Sequence, residues 1–214
     1  MDMINKTILI LFSLVTLFCS CKGDGEKDCC KKEGSSTLST GIIPSESLFN
    51  ISSAWQTQHG DTIALNHLKN KISVVAMVFT HCESACPRIV ADMQRIEKSF
   101  SEVALKQINF VLISMDPARD TPERFREFAK DHQLNDNWTL LRSDESATME
   151  IANVLNVRVK KLSDGGFDHS NSIFVLNQHG VVAHQQNGLE QEPSETIKIT
   201  KLLLETGELT SETK

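Results

Sequence analysis

Ile72 to Phe79 is a near-continuous apolar run rich in Val and Ile, the pattern of a strand buried on both faces. Asn109 to Met115 repeats it. Between the two, Arg88 to Phe100 places Ile89, Val90, Met93, Ile96 and Phe100 at helical spacing, so the segment predicts strand, helix, strand with a right-handed parallel crossover. Upstream, Phe49 to Trp55 and Thr62 to Leu65 flank the turn-forming His59-Gly60-Asp61 and predict a short hairpin. Downstream, Thr121-Pro122-Glu123-Arg124 is a helix start with Thr as N-cap and Pro in the first turn, and Phe125, Phe128 and Ala129 give the helix an inner face. Trp138 to Leu141 reads as a short strand and Ala147 to Leu155 as a helix. Ser172 to Leu176 and Val181 to Gln185 alternate around Asn177-Gln178-His179-Gly180, a hairpin by composition. Ile197, Ile199, Leu202, Leu203 and Leu204 supply a last helix after Pro193.

This order predicts an α/β fold of thioredoxin-like type, with an N-terminal β-hairpin extension and an inserted strand and helix in the middle. It occupies one domain, residues 46–207, and leaves 208–214 as a disordered tail. No internal repeat is visible.

The chain opens differently. Lys6 precedes Thr7 to Phe18, twelve residues without a charge, the length of a signal-peptide core. A permanent helical span needs roughly 20 apolar residues. Leu17-Phe18-Cys19-Ser20-Cys21 then resembles a bacterial lipobox, with small Ser20 before Cys21 and hydrophilic residues after it. Residues 1–20 are therefore expected to be a lipoprotein signal peptide, Cys21 the lipid-bearing residue, and the mature chain a membrane-anchored protein on the periplasmic or extracytoplasmic face. Phe18 departs from the usual aliphatic, and Cys19 is a rival acceptor. Residues 21–45, rich in Lys, Asp, Glu, Gly and Ser, lack a periodic apolar pattern and are expected to be a flexible tether. Within it Cys29-Cys30 is a vicinal pair, read as exposed linker thiols or as a soft-metal trap.

Composition narrows the function. The net charge is -6 with a pI near 5.6, and no basic block exceeds the Lys31-Lys32 and Lys160-Lys161 pairs, which argues against nucleic acid as partner. Six cysteines in 214 residues are too few for a disulfide scaffold, so thiol chemistry, metal binding or lipidation remain.

Phe79-Thr80-His81-Cys82-Glu83-Ser84-Ala85-Cys86-Pro87 lies where a buried strand gives way to a helix, the place where open α/β sheets bind ligands. If the helix begins within the motif, the spacing stacks the Cys82 and Cys86 sulfurs on one face, able to oxidise together or to clasp one metal ion. A helix N-terminus favours the thiolate in either case. Pro87 and the polar Glu83-Ser84 insert predict an exposed loop rather than a buried pair. Thiolates select soft metals, and two sulfurs invite a third ligand. Of seven histidines, His169 stands out in the loop 165–170 before the strand at Ser172; His81 beside Cys82 competes with it.

These residues resemble the Sco/SenC family, extracytoplasmic copper proteins of respiratory oxidase assembly. Three motifs carry the likeness: Phe79-Thr80-His81-Cys82 through Cys86-Pro87; Ser114-Met115-Asp116-Pro117-Ala118-Arg119-Asp120-Thr121-Pro122; and Asp168-His169-Ser170 followed by Ile173-Phe174-Val175-Leu176 and Gly180. The resemblance implies copper, Cu(I) or Cu(II), bound by Cys82, Cys86 and His169. It implies delivery to the dinuclear copper site of cytochrome c oxidase subunit II or a similar copper enzyme, or alternatively reduction of that partner's cysteines by a Cys82-Cys86 thiol-disulfide couple. On the second reading Cys82 and Cys86 are catalytic, and Cys82, the more exposed, is the attacking sulfur. Asp116 and Asp168 are expected to orient the imidazole or its loop from outside the ligand set. For Asp116 a turn cap is the plainer alternative, and Arg119 and Asp120 are read as a local ion pair or a docking surface. Glu83-Ser84-Ala85 departs from the family's usual Pro-Asp-Val type of insert. The missing proline between Pro122 and Pro193 counts against an ordinary thioredoxin.

Overall fold

The structure, a computed structural model, describes residues 44–206. The expected leader, the Cys21 acceptor, the Cys29-Cys30 pair, the tail and all but the last two tether residues lie outside them.

Seven strands form one sheet in the order β2-β1-β5-β4-β3-β8-β9. Its centre is β3 (Ile72–Val78) beside β4 (Ile108–Ser114), paired in parallel from Ile72 with Ile108 to Val78 with Ser114. All of β3 is buried, as an apolar run covered on both faces requires. Parallel to β4 runs β5 (Trp138–Arg142), and β1 (Ala54–Thr57) joins β5 antiparallel with its hairpin partner β2 (Thr62–Ala64) at the edge. On the other side β8 (Ser172–Leu176) is antiparallel to β3 and carries β9 (Val182–Asn187). Among the described residues five α-helices accompany the strands: α1 (Ala85–Glu97), α2 (Glu102–Leu105), α3 (Pro122–Asp131), α4 (Glu145–Val154) and α5 (Ser194–Thr206).

The helix starts follow local chemistry. Thr121 accepts a hydrogen bond from the Arg124 N–H at 3.3 Å ahead of Pro122, and Asp144 accepts from the Ala147 N–H at 2.8 Å. Under the sheet Phe110 stacks on Trp138 at 5.1 Å, and the Trp138 indole N–H donates to Glu97 at 3.0 Å.

Three expectations need correction. The helix after β3 starts at Ala85, not Arg88, because the first turn needs no backbone N–H partner and therefore accepts Pro87; it ends at Glu97, before Ser101 caps α2. The first hairpin is shorter, since Leu48–Asn50 forms a 3-10 turn whose Leu48 N–H donates to the Gly180 carbonyl at 3.0 Å. His169 lies on a strand rather than a loop: β6 (Val159–Lys161) and β7 (Phe167–His169) make a separate two-stranded ribbon outside the main sheet.

Because β3 and β4 run in the same direction, the loops after Val78 and Ser114 emerge at the same sheet end. Gly180 and the 3-10 turn lie at the other end, where β8 returns to pair Leu176 with Ser73.

Candidate thiol and metal centre

The loop from β3 to α1 is held from beneath by Asp120, which is fully buried. Its carboxylate accepts the Thr80 N–H at 3.1 Å, the Thr80 hydroxyl at 2.6 Å and the Ser114 hydroxyl at 2.5 Å. Burial pushes the Asp120 pKa up, and these donors oppose the push. Arg124 adds hydrogen bonds to the Thr80 carbonyl at 2.9 Å and hydroxyl at 3.1 Å. Asp120 therefore does not pair with Arg119 on the surface; Arg119 forms its ion pair with buried Asp116.

Both cysteines are free thiols. Cys82, just ahead of α1, is part-exposed, whereas Cys86 is completely buried, so the expected exposed loop presents one sulfur and hides the other. The Cys86 N–H donates to Cys82 Sγ at 3.4 Å, and the Phe79 N–H donates to Cys86 Sγ at 3.5 Å. The Cys86 thiol, hydrogen-bonded to the Cys82 sulfur, is the largest influence on Cys82. With the backbone N–H groups of Cys86, Ser84 and Ala85 it outweighs partial burial and lowers the Cys82 pKa from 9.0 to about 5. The same thiol-thiolate bond, followed by burial, pushes Cys86 up. At neutral pH the pair holds one proton, on the inner sulfur.

His169 comes from the ribbon. Its Nδ1 lies 3.1 Å from the Ser170 carbonyl oxygen, and since a carbonyl only accepts, Nδ1 is the donor, which in the neutral ring leaves the lone pair on Nε2. The ring stands edge-on to Phe79 at 6.1 Å, and Phe79 also meets Phe167 at 5.1 Å. Cys82 and His169 line one open cavity of about 660 Å³, with His81, Glu83, Arg119 and Asp168 on its walls. His81 is exposed, with Nδ1 3.3 Å from the Thr80 hydroxyl and 3.7 Å from Asp120. Among the described residues no three His, Cys, Asp or Glu side chains converge closely enough to hold a metal ion. One cavity thus carries one sulfur and the imidazole among its lining, and the second sulfur, on Cys86, is buried out of it.

The two aspartates part company. Asp116 is buried, its backbone carbonyl accepts the Arg119 and Asp120 N–H groups, and its carboxylate binds Arg119. Asp168 is exposed opposite Lys160, and the hydrogen bond that orients the imidazole goes to the Ser170 carbonyl instead. Sequence reasoning missed Asp120 as the support of the cysteine loop and Arg119 as the bridge from Asp116 to the Gly165 carbonyl. Their shared motif was the available signal, but it does not say which carboxylate turns inward.

A thioredoxin-like α/β fold that displays two free thiols at a strand-helix junction, with an imidazole in the same cavity, defines a protein of thiolate chemistry, redox or soft-metal. The chain belongs to the SCO1/SenC family, whose sequence model matches residues 47–204. Among solved structures it is similar to a SCO1/SenC family lipoprotein from Bacillus anthracis, at 27% identity and TM-score 0.65, covering 71% of this chain and 92% of that one. It is also similar to BsSco, described as a member of the Sco family of cytochrome c oxidase assembly proteins with a disulfide switch, at 28% identity and TM-score 0.62 over 72% of this chain and 91% of that one. ScoI of Bradyrhizobium japonicum with copper bound shares the fold at TM-score 0.61 and 23% identity, over 70% and 96% of the two chains.

Proposed function

We propose that this protein binds copper through Cys82, Cys86 and His169 and passes it to the dinuclear copper site of a respiratory oxidase subunit II or a similar copper enzyme. The observation that carries the reading is the shared cavity: a sulfur whose pKa is lowered to about 5 and an imidazole oriented through its Nδ1 line the same opening. Two sulfurs and one nitrogen form a donor set suited to Cu(I), and the ion takes the place of the proton on Cys86 when it binds. The three donors do not converge in this structure, so binding needs a movement of the ribbon carrying His169, of the cysteine loop, or of both. A two-stranded ribbon outside the main sheet is the least anchored kind of β structure, which makes it suited to such movement. Membership of the SCO1/SenC family and the copper-bound relative of the same fold support copper as the cargo.

The proposal extends to the chain's address. Residues 1–20 are a leader, Cys21 carries lipid at the extracytoplasmic membrane face, and 21–45 tether the domain 46–207. Among the described residues no helix is long and apolar enough to cross a membrane. A chain from Cys21 to Pro44 spans at most about 80 Å.

The Cys82-Cys86 geometry also favours a second reading, reduction of the partner. The Cys82 thiolate attacks a partner disulfide and releases one partner thiolate. Cys86 then gives up its proton and attacks Cys82, leaving the partner a dithiol and this protein a disulfide, with two electrons passed to the partner. One experiment separates the readings. The full-length chain, copper-loaded or copper-free and reduced, is mixed with a copper-free subunit II whose cysteines are reduced or oxidised. Copper transfer to the reduced acceptor is the expected result. Restoration of acceptor thiols without any metal transfer replaces the carrier with the reductase.

A further inference from the structure

We propose that Arg119 is a positioning residue that clamps the β6-β7 ribbon and so sets how closely His169 approaches the sulfurs; the inference rests on the reading of His169 as a copper ligand. Among the described residues the ribbon's strands pair only with each other, Val159 and Phe167 pack against the core, and its tip turns through Leu162 to Gly166, where Gly165 has φ +85°. At its base the Ser170 N–H donates to the Arg158 carbonyl at 3.1 Å, and along its length Phe167 leans on Phe79. At the tip, among the described residues, the side-chain hydrogen bond from the main body comes from Arg119, whose Nη2 donates to the Gly165 carbonyl.

Arg119 is in turn fixed. Its Nε donates to the carboxylate of buried Asp116, whose own N–H donates to the Ser114 hydroxyl at 2.9 Å, and Ser114 donates to Asp120. A continuous chain of contacts therefore runs from the buried carboxylate under the cysteine loop, through Ser114, Asp116 and Arg119, to the turn that leads into the strand bearing His169. The two ends of the metal site share one support. The guanidinium is the residue that can do this, because its planar fork bonds a carboxylate and a carbonyl at once, which a lysine ammonium on a flexible stem does not reproduce. Holding the ribbon near the sulfurs lowers the cost of ordering His169 when copper arrives; releasing it opens the site.

The test uses the full-length chain as wild type, Arg119→Ala, Arg119→Lys, His169→Ala and the double variant Arg119→Ala/His169→Ala. In the metal-free protein, amide hydrogen exchange at residues 165–169 is expected to speed up about tenfold in both Arg119 variants, with β3 and β4 unchanged. Cu(I) affinity is expected to fall about 10- to 100-fold in each, the range seen when groups supporting a ligand are removed. The double variant is expected to bind no more weakly than His169→Ala alone, since Arg119 acts through that ring. Unchanged exchange in the ribbon overturns the clamp. So does full rescue by Arg119→Lys, which would make Arg119 a charge beside the thiolates, and so does a loss that simply adds to that of His169→Ala. If His169→Ala leaves copper affinity intact, the ligand assignment fails, and the exchange measurement still decides whether Arg119 holds the ribbon.

Discussion

The backbone N–H of Cys86 points at the sulfur of Cys82 from 3.4 Å, and the Cys86 thiol shares its proton with the same sulfur. The outer cysteine is therefore a thiolate because the inner one is not. Alkylation of Cys82 by iodoacetamide, followed by the mass of the Cys82 peptide, should show a midpoint near pH 5, the value to which the pKa is lowered. Replacing Cys86 with Ala removes the largest cause of the lowering and should move the midpoint up by more than one pH unit. An unmoved midpoint would assign the effect to the helix N-terminus alone.

The same pair gives the reduced protein a pH-dependent stability. Cys82, depressed from 9.0 to about 5, contributes stability above the unfolded thiol value and loses it as pH falls through about 5. Cys86, raised, contributes stability below 9.0 and loses it at higher pH. Between about pH 5 and 9 the unfolded pair holds two protons and the folded pair one, so stability climbs with pH. Above 9 the unfolded pair holds none while the folded pair keeps one, and stability falls. Urea unfolding of the wild type minus that of the Cys82→Ser/Cys86→Ser variant should peak near pH 9; a difference that is flat with pH would show that the sulfurs do not share a proton.

Asp120 carries the cysteine loop, and its loss should be costly. Asp120→Ala strands the Thr80 N–H and the Thr80 and Ser114 hydroxyls. Unpaired buried donors cost about 1–3 kcal/mol each, so a destabilisation of at least about 2 kcal/mol is expected in denaturant titration. Because burial raises the Asp120 pKa, the folded wild type takes up this proton more readily than the unfolded chain. The Asp120 contribution therefore weakens as pH rises through the raised pKa, and the difference between the two proteins should be larger in acid than at neutral pH.

Gly180 offers a test of the fold remote from the site. Its φ is +78°, and a Cβ there would sit 2.7 Å from a Phe49 ring carbon and from the Ser47 hydroxyl. Gly180→Ala should cost about 2–4 kcal/mol, combining left-handed strain with overpacking. Copper affinity, measured on the protein that remains folded, should not change.

The parts of the structure that were legible in the amino-acid pattern share one property, burial strong enough to select residue types. β3 and β4 are covered on both faces, so Val, Ile and Leu fill them. α3 was visible because Thr121 is a chemically apt cap ahead of Pro122, whereas α4 was read from Ala147 and the cap at Asp144 was not used. The β6-β7 ribbon was not visible, since half-exposed strands carrying Lys160, Lys161 and Asp168 around two glycines have no apolar alternation to read. At the site, the Cys82-Cys86 spacing marked the strand-helix junction and Cys82 was read as the more exposed sulfur, but nothing local showed that Cys86 is completely buried. Main-chain partners leave no trace in residue types either, which is why the Ser170 carbonyl behind His169 and the Gly165 carbonyl beneath Arg119 went unseen.

The most direct measurement is Cu(I) affinity by competition with a chromophoric chelator, on the full-length chain as wild type, Cys82→Ser, Cys86→Ser and His169→Ala. If two sulfurs and a distant imidazole make one metal site, each variant loses at least about tenfold in affinity, equivalent to about 1.4 kcal/mol. Equal copper binding by wild type and His169→Ala would contradict it.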